Sequence, residues 1–317
     1  MIFVSIGLAS LTSDFGAREG FLSMQQLTDV GMFFVFFLYG IGMSFSTMLK
    51  GMSQWRLHLL VHCASFLIYP LFVLAAVSFL DQMPFEKGPL YPTLRLGVFY
   101  LAVLPSTVSS SVVMVSIARG NIPAAILNAS LSSLLAVFLT PFWVSFYLQT
   151  DSQSFEILPV IYGLCLVVFL PIIAGMALHH WLGDFEKRYK RELKWFDQTF
   201  VLLIVYSTFS KSFANDVFSG FTPATLITLA FTMSFLFFSI YGIIGLCCRV
   251  FRFNREDTIT ALFCGSKKSM TGAVLAKIIF AGDSTIGVIL LPLLFYHALQ
   301  LIFVSQLAMR KSRQEQS

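Results

Sequence analysis

Ten apolar stretches follow one another along this chain, and most are long enough to cross a lipid bilayer. They lie at about 1–12, 29–48, 57–80, 94–117, 122–148, 157–181, 198–213, 223–249, 258–280 and 284–309 of its 317 residues. A helix needs roughly 20 apolar residues to span the hydrocarbon, with a range of about 17–25. Lipid offers no partner to backbone N–H and C=O groups, so each span must be helical. The first stretch is too short to cross, and is either a curtailed first helix or an interfacial one. Composition agrees, with 57% of residues hydrophobic and 12% charged, where a soluble domain is nearer a quarter charged. The expected fold class is all-α and polytopic, one membrane unit over residues 1–317 with the lipid bilayer as its partner. A nucleic-acid partner and soluble enzyme chemistry are not expected, and oligomeric state is not set by the sequence. "MIFVSIGLASLTSDFG" lacks the basic start and small-residue cleavage site of a signal peptide. Cys63, Cys165, Cys247, Cys248 and Cys264 lie in or at the ends of apolar spans, without metal-ligand spacing to a histidine. They read as small buried hydrophobes, and no metal site is expected.

Basic residues set the orientation. Fourteen follow the even-numbered spans: Lys50, Arg56, Arg119, the run Lys187, Arg188, Lys190, Arg191 and Lys194, then Arg249, Arg252, Arg255, Arg310, Lys311 and Arg313. Five (Arg18, Lys87, Arg95, Lys211 and Lys277) follow the odd-numbered ones. The positive-inside rule puts the even side, and with it both termini, in the cytoplasm, provided that the first span crosses. A bacterial inner membrane is the expected location. All sixteen acidic residues fall in loops or at span ends. The buried carboxylate on which many ion pathways rest is therefore missing.

Two spans are interrupted by polar residues. The fourth carries "LPSTVSSSV" (104–112), in which Pro105 removes a backbone donor. The ninth carries "FCGSKKSMTG" (263–272), in which Gly265 and Gly272 bracket two lysines and their hydroxyl neighbours. "ARGN" (118–121) after the first interruption answers "FAGD" (280–283) after the second, and each is followed by a long apolar span containing Pro141 or Pro292. Five spans separate the copies, so they run in opposite directions. That is the pattern of an inverted repeat of two five-helix halves, whose paired breaks mark a binding site near the midplane.

A lysine at the centre of a membrane helix costs about 2.5–3.5 kcal/mol on insertion scales. Lys267 and Lys268 should therefore face the protein interior, where serine hydroxyls and unwound carbonyls accept their N–H bonds. Adjacent helical residues point about 100° apart, so the two should do different jobs. The candidate substrate- and ion-binding residues are Lys267, Lys268, Ser266, Ser269, Thr107, Ser109, Ser110, Ser111 and Asn128. Each has a plainer alternative: a cation pinning a broken helix, hydroxyls gluing helices together. Asn128 is expected to reach the fourth-span break or Lys267. His58 and His62, one turn apart, read as interfacial packing, as do His179 and His180. His297 reads as a satisfied core histidine, and the run 186–194 as a solvated linker.

At these residues the chain resembles the bile acid:sodium symporter family, and more closely its SBF-like branch. "QWRLHL" (54–59), "GNIPAAILNASLS" (120–132), "LPIIAGMALHHWLGDF" (170–185), "VYSTFS" (205–210) and the two interrupted segments carry the resemblance. It implies a ten-helix transporter, not an enzyme, with discontinuous fourth and ninth helices that cross. A panel domain would comprise about 1–50 and 157–213, and a core domain about 57–148 and 223–309, moving against each other in alternating access. In sodium-coupled members a glutamate before the crossing glycine joins both sodium sites, and Phe263 stands there in this chain. A glutamine after it is Lys267, a Ser-Asn pair is Ser111-Val112, and a serine and a threonine on the fifth span are Ala125 and Ala129. No cofactor is expected. Sodium remains possible as a coupling ion, but most of its side-chain ligands are replaced and Lys267 can stand in its place.

The leading functional reading is secondary transport of a small organic anion. Two alternatives stay open: a non-transporting sensor or regulator on the same scaffold, and an intramembrane hydrolase using Ser266 or Ser269 with Lys267 or Lys268.

Overall fold

The computed structural model describes residues 2–17, 24–42, 54–83, 88, 90–107, 109–150, 156–218 and 220–313, and every regular element among them is a helix. Arg18, Lys50, Lys87 and the end of the second apolar stretch lie outside the described residues, as do the side chains of Lys187, Lys190 and Arg313. The helices are α1 (Ile2–Leu11), α2 (Ser13–Ala17), α3 (Met24–Ile41), α4, α5 (Tyr91–Ala102), α6 (Ser109–Ile117), α7 (Ile122–Thr150), α8, α9 (Lys190–Ala214), α10 (Pro223–Val250), α11 (Arg255–Gly265), α12 (Gly272–Ile279) and α13 (Ile286–Arg313). Helix α4 joins Trp55–Cys63 to Tyr69–Gln82 through a π turn at Ala64–Ile68, and α8 joins Ile157–Leu164 to Leu170–Arg188 through one at Cys165–Phe169. Among the described residues α4, α7, α8, α10 and α13 are long and apolar enough to cross a membrane.

Helix ends follow local chemistry. The Asn254 side chain caps α11 by accepting from Asp257 N at 2.7 Å, and Thr222 caps α10 by accepting from Thr225 N. Both devices satisfy N–H groups that a helix start leaves open. Helices α6 and α10 end on Arg119 (φ 56°) and Arg252 (φ 54°). In each case the next N–H reaches back five residues, Gly120 N to Val115 O at 2.8 Å and Phe253 N to Cys248 O at 3.0 Å. These are left-handed caps in which arginine takes the place usually given to glycine. Their cationic side chains also suit the negative end of the helix dipole. Helix α10 shows how composition becomes packing. Met233, Phe237, Ile240 and Ile244 are buried along one stripe, while Ile227, Phe231, Phe235 and Phe238 are exposed on another. A helix that exposes a stripe of phenylalanine has lipid as its solvent.

The chain divides into two compact units. The first comprises Met1–Phe45, Ser145–Gly220 and Met270–Leu290. The short apolar start of the chain is here a ten-residue helix on α9, with Ser5 Oγ donating to Leu202 O at 3.0 Å. Helices α3 and α8 touch backbone to backbone: a Cβ on Gly40 would overlap Ile172 O, and one on Gly175 would overlap Phe37 O. Small residues let membrane helices approach this closely. Lys277, counted among the basic residues of the odd-numbered side, stands near the end of the ninth apolar stretch. It lies in α12, where it donates to Asp29 Oδ1 and Thr28 Oγ1, both at 2.6 Å.

The second unit comprises Ser46–Val144, Phe221–Ser269 and Leu291–Ser317. Helices α4 and α5 are joined at their ends through Asp81, which accepts from Arg95 Nη1 at 2.7 Å and from Tyr91 OH at 2.9 Å. Burial, with the Asp81 carboxylate beside it, pushes the Tyr91 hydroxyl up to about 12. This unit contains both α5, the break after it and α6, and α11 with the first part of the break after it.

Candidate functional site

Two stretches of irregular backbone meet in the second unit. Helix α5 stops at Ala102, and residues 103–107 are non-helical around Pro105. Helix α11 stops at Gly265, and the chain is non-helical until Gly272 begins α12. The two breaks are hydrogen-bonded to each other, with Ser269 N donating to Pro105 O at 2.9 Å.

Broken helices release carbonyls and N–H groups that cannot be left unpaired in hydrocarbon. Each released group named here has a partner. Val103 O accepts from Thr140 Oγ1 at 2.8 Å, and Ser106 N donates to Ser132 Oγ at 3.0 Å. Gln300 grips the Lys268 backbone on both sides, accepting from its N–H at 2.9 Å and donating to its carbonyl at 2.8 Å. Ser266 O accepts from Tyr296 OH. Thr140→Val keeps the shape at that position and removes the donor to Val103 O. We expect a loss of about 1–3 kcal/mol, read as a lower unfolding midpoint of the detergent-solubilised protein.

Both lysines are fully buried, and they point to different partners. Lys268 Nζ donates to Ala102 O at 2.7 Å, Leu104 O at 2.9 Å and Ser65 O at 3.0 Å, and lies 4.2 Å from the centre of the Tyr69 ring. Lys267 Nζ donates to Ser110 Oγ at 2.7 Å. From there a chain of hydroxyls continues, Ser110 to Thr107 at 2.8 Å and Thr107 to Ser111 at 2.9 Å, ending in a longer bond of 3.4 Å from Ser111 Oγ to Phe263 O. The direction is fixed at both ends. An ammonium can only donate and a carbonyl can only accept, and each hydroxyl has one proton. The protons therefore all point from Lys267 toward Phe263.

The fold thus brings Lys267, Thr107, Ser110 and Ser111 together, and holds Lys268 and the Ser269 backbone beside the fourth-span break. It does not bring Asn128 there. The Asn128 side chain instead lies 2.9 Å from His58 Nδ1, so this pair is a buried contact between α7 and α4 and not part of the lysine cluster. Ser266 gives its hydroxyl to Leu262 O at 2.6 Å, so it is paired with neither lysine. The Ser109 side chain lies outside the described residues. Gln300, Tyr69, Tyr296, Ser132 and Thr140 were not singled out in the sequence. Two of them had a signal there: Asn128, Ser132, Ala136 and Thr140 form an i+4 ladder of small and polar residues along an apolar span. Among the described residues no group of three or more His, Cys, Asp or Glu side chains could hold a metal ion.

A buried pair of cations at the meeting of two broken membrane helices belongs to an integral membrane protein of the transporter class. The comparisons give the family. The sequence model of the SBF-like CPA transporter family matches residues 1–313, and the chain belongs to that family. It is 38% identical to PA2026 of Pseudomonas aeruginosa over 290 residues, 91% of this chain and 85% of that one. YfeH of Escherichia coli is 33% identical over 311 residues, 98% and 91% of the two chains. Sodium/bile acid cotransporter 7 of Mus musculus is 27% identical over 316 residues, 96% and 89% of the two chains. Family and relatives place the chain among transporters rather than enzymes.

Proposed function

We propose that this protein is a secondary transporter that carries a small organic anion by alternating access, without an obligatory sodium ion. One observation supports the anion most directly. The Lys267 ammonium is fully buried, donates to one hydroxyl, and has no carboxylate partner among the described residues. A buried cation without a counter-charge attracts one, and an ionisable group at membrane depth is functional by default. On this reading Lys267, with Ser110, Thr107 and Ser111 behind it, contacts the anion, Lys268, Ser266 and Ser269 shape and hold the surrounding backbone, and Asn128 with His58 ties α7 to α4 apart from the cluster.

The wider frame of the proposal is ten spans in two inverted five-helix repeats, with a panel and a core domain and both termini cytoplasmic in a bacterial inner membrane. The two breaks and the basic-residue bias support it, while the two compact units differ from the proposed panel and core in that Met270–Leu290 belongs to the first unit. Sodium is named for the mouse relative. Here Phe263, which the resemblance aligns with a glutamate of sodium-coupled members, is an apolar side chain and fully buried.

The test is ligand-induced thermal stabilisation of the purified protein, using organic anions such as taurocholate, citrate and benzoate beside organic cations and sugars. Each is tried in sodium and in potassium at equal ionic strength. Stabilisation by an anion to the same extent in both salts is expected, followed by uptake of that anion into proteoliposomes. Selective binding of a cation or sugar, or a strict and saturable requirement for sodium, would overturn the proposal.

A further inference from the structure

The surroundings of Lys268 Nζ go beyond helix pinning. Its three partners are all backbone carbonyls, and each is available for a local reason. Ala102 O and Leu104 O stand at the C-terminal end of α5, where the break at Pro105 leaves carbonyls without helical donors and the helix dipole is negative. Ser65 O belongs to the π turn of α4. There Tyr69 N reaches back five residues to Ala64 O, so Ser65 O would next look to residue 70, and residue 70 is proline. The turn and the proline together leave one carbonyl without a donor, and Lys268 takes it at 3.0 Å. The Tyr69 ring closes the fourth side with its negative face at 4.2 Å.

We infer that this is a monovalent-cation cage which the chain fills with its own tethered ammonium. Three convergent carbonyls require three N–H donors. A neutral amine has two, and its lone pair would face a carbonyl oxygen, so the geometry demands the ammonium. All ligands are neutral, and no carboxylate is among the group's contacts, which suits a single charge and not a divalent ion. Distances of 2.7–3.0 Å match a large, weakly hydrated ion such as potassium or ammonium, as in the carbonyl rings of potassium-selective pores. Sodium draws its oxygens closer. The cage ties α4, α5 and the second break together without drawing an ion from solution.

The experiment uses the full-length protein in detergent, with potassium, sodium, ammonium, propylammonium or choline as chloride at one ionic strength. The wild-type unfolding midpoint should not distinguish potassium or ammonium from choline. In choline, Lys268→Ala should fall by about 5–8 °C, as breaking a buried charged contact does. Propylammonium, which restores the deleted atoms, should recover most of that fall with saturation, and potassium or ammonium part of it, while propanol should not. Lys268→Met keeps the stem and removes only the ammonium, so it serves if the alanine variant does not fold. Three outcomes would overturn the cage: a Met variant as stable as wild type in choline, recovery by propanol equal to that by propylammonium, or selective stabilisation of the wild type by potassium. Each readout is stability, so a failed transport proposal and a failed cage remain distinguishable.

Discussion

Lys267→Met will bind the transported anion at least about tenfold more weakly and will take it up at a small fraction of the wild-type rate. A hydrogen bond to a charged group contributes about 1.5–3 kcal/mol, and 1.4 kcal/mol is a factor of about ten in affinity. The fold should survive the change. Methionine fills the space of the lysine stem, and only the one bond to Ser110 Oγ is lost. Removing a buried charge that has neither a counter-charge nor, unlike Lys268, a set of converging carbonyls is neutral or favourable for stability, so the unfolding midpoint should stay level or rise. Lys267 and Lys268 are thereby separated. The first variant loses binding and keeps stability, and the second loses stability. Isothermal binding and proteoliposome uptake of the anion identified by thermal stabilisation give the measurement. Wild-type uptake by Lys267→Met would remove the anion-binding role from this side chain.

Gly40→Val will prevent the first unit from assembling as described. A Cβ at Gly40 overlaps Ile172 O and stands 3.0 Å from the Gly175 Cα, and Gly175 makes the reciprocal approach to Phe37 O. The obstacle is backbone on both sides, so no side chain can rotate away to make room. Ordinary overpacking costs about 1–3 kcal/mol. Here α3 and α8 must move apart along their length, and the expected loss exceeds about 3 kcal/mol. Gly40→Ala should be milder and of the same sign. The check is the unfolding midpoint and the yield of monodisperse protein. A valine variant with a wild-type midpoint would mean that α3 and α8 do not meet at this point.

Much of this architecture was legible because a bilayer leaves a chain few choices. Apolar length gave the long helices, and two adjacent lysines between glycines pointed to an interior polar site. The proline and the serine run located the first break within a few residues. Legibility ended where partners are distant in sequence. Nothing near Lys268 indicates that Ser65 O, some two hundred residues earlier, is one of its acceptors. That carbonyl is exposed by a π turn, whose only local trace is the proline after it. Asn128 was expected beside the lysines because it is polar and lies in mid-span, but an amide pairs with whatever donor its helix face meets, and that donor is His58. Gln300 looked like an ordinary polar residue in the last helix. Its value lies in an amide group that matches both the N–H and the C=O of one distant residue, Lys268, which only the fold brings within reach.

The hydroxyl chain begins and ends on the same segment, since Phe263 and Lys267 are four residues apart. An unbroken helix would have joined Phe263 O directly to the N–H of residue 267 in a single step. The protein makes that connection the long way round, through Thr107 of the opposite break and Ser110 and Ser111 of the helix that follows it. Hydrogen bonds in series reinforce one another. Such a detour is held from one segment: moving either broken helix away by the width of one bond would release both ends and free every hydroxyl along it to turn.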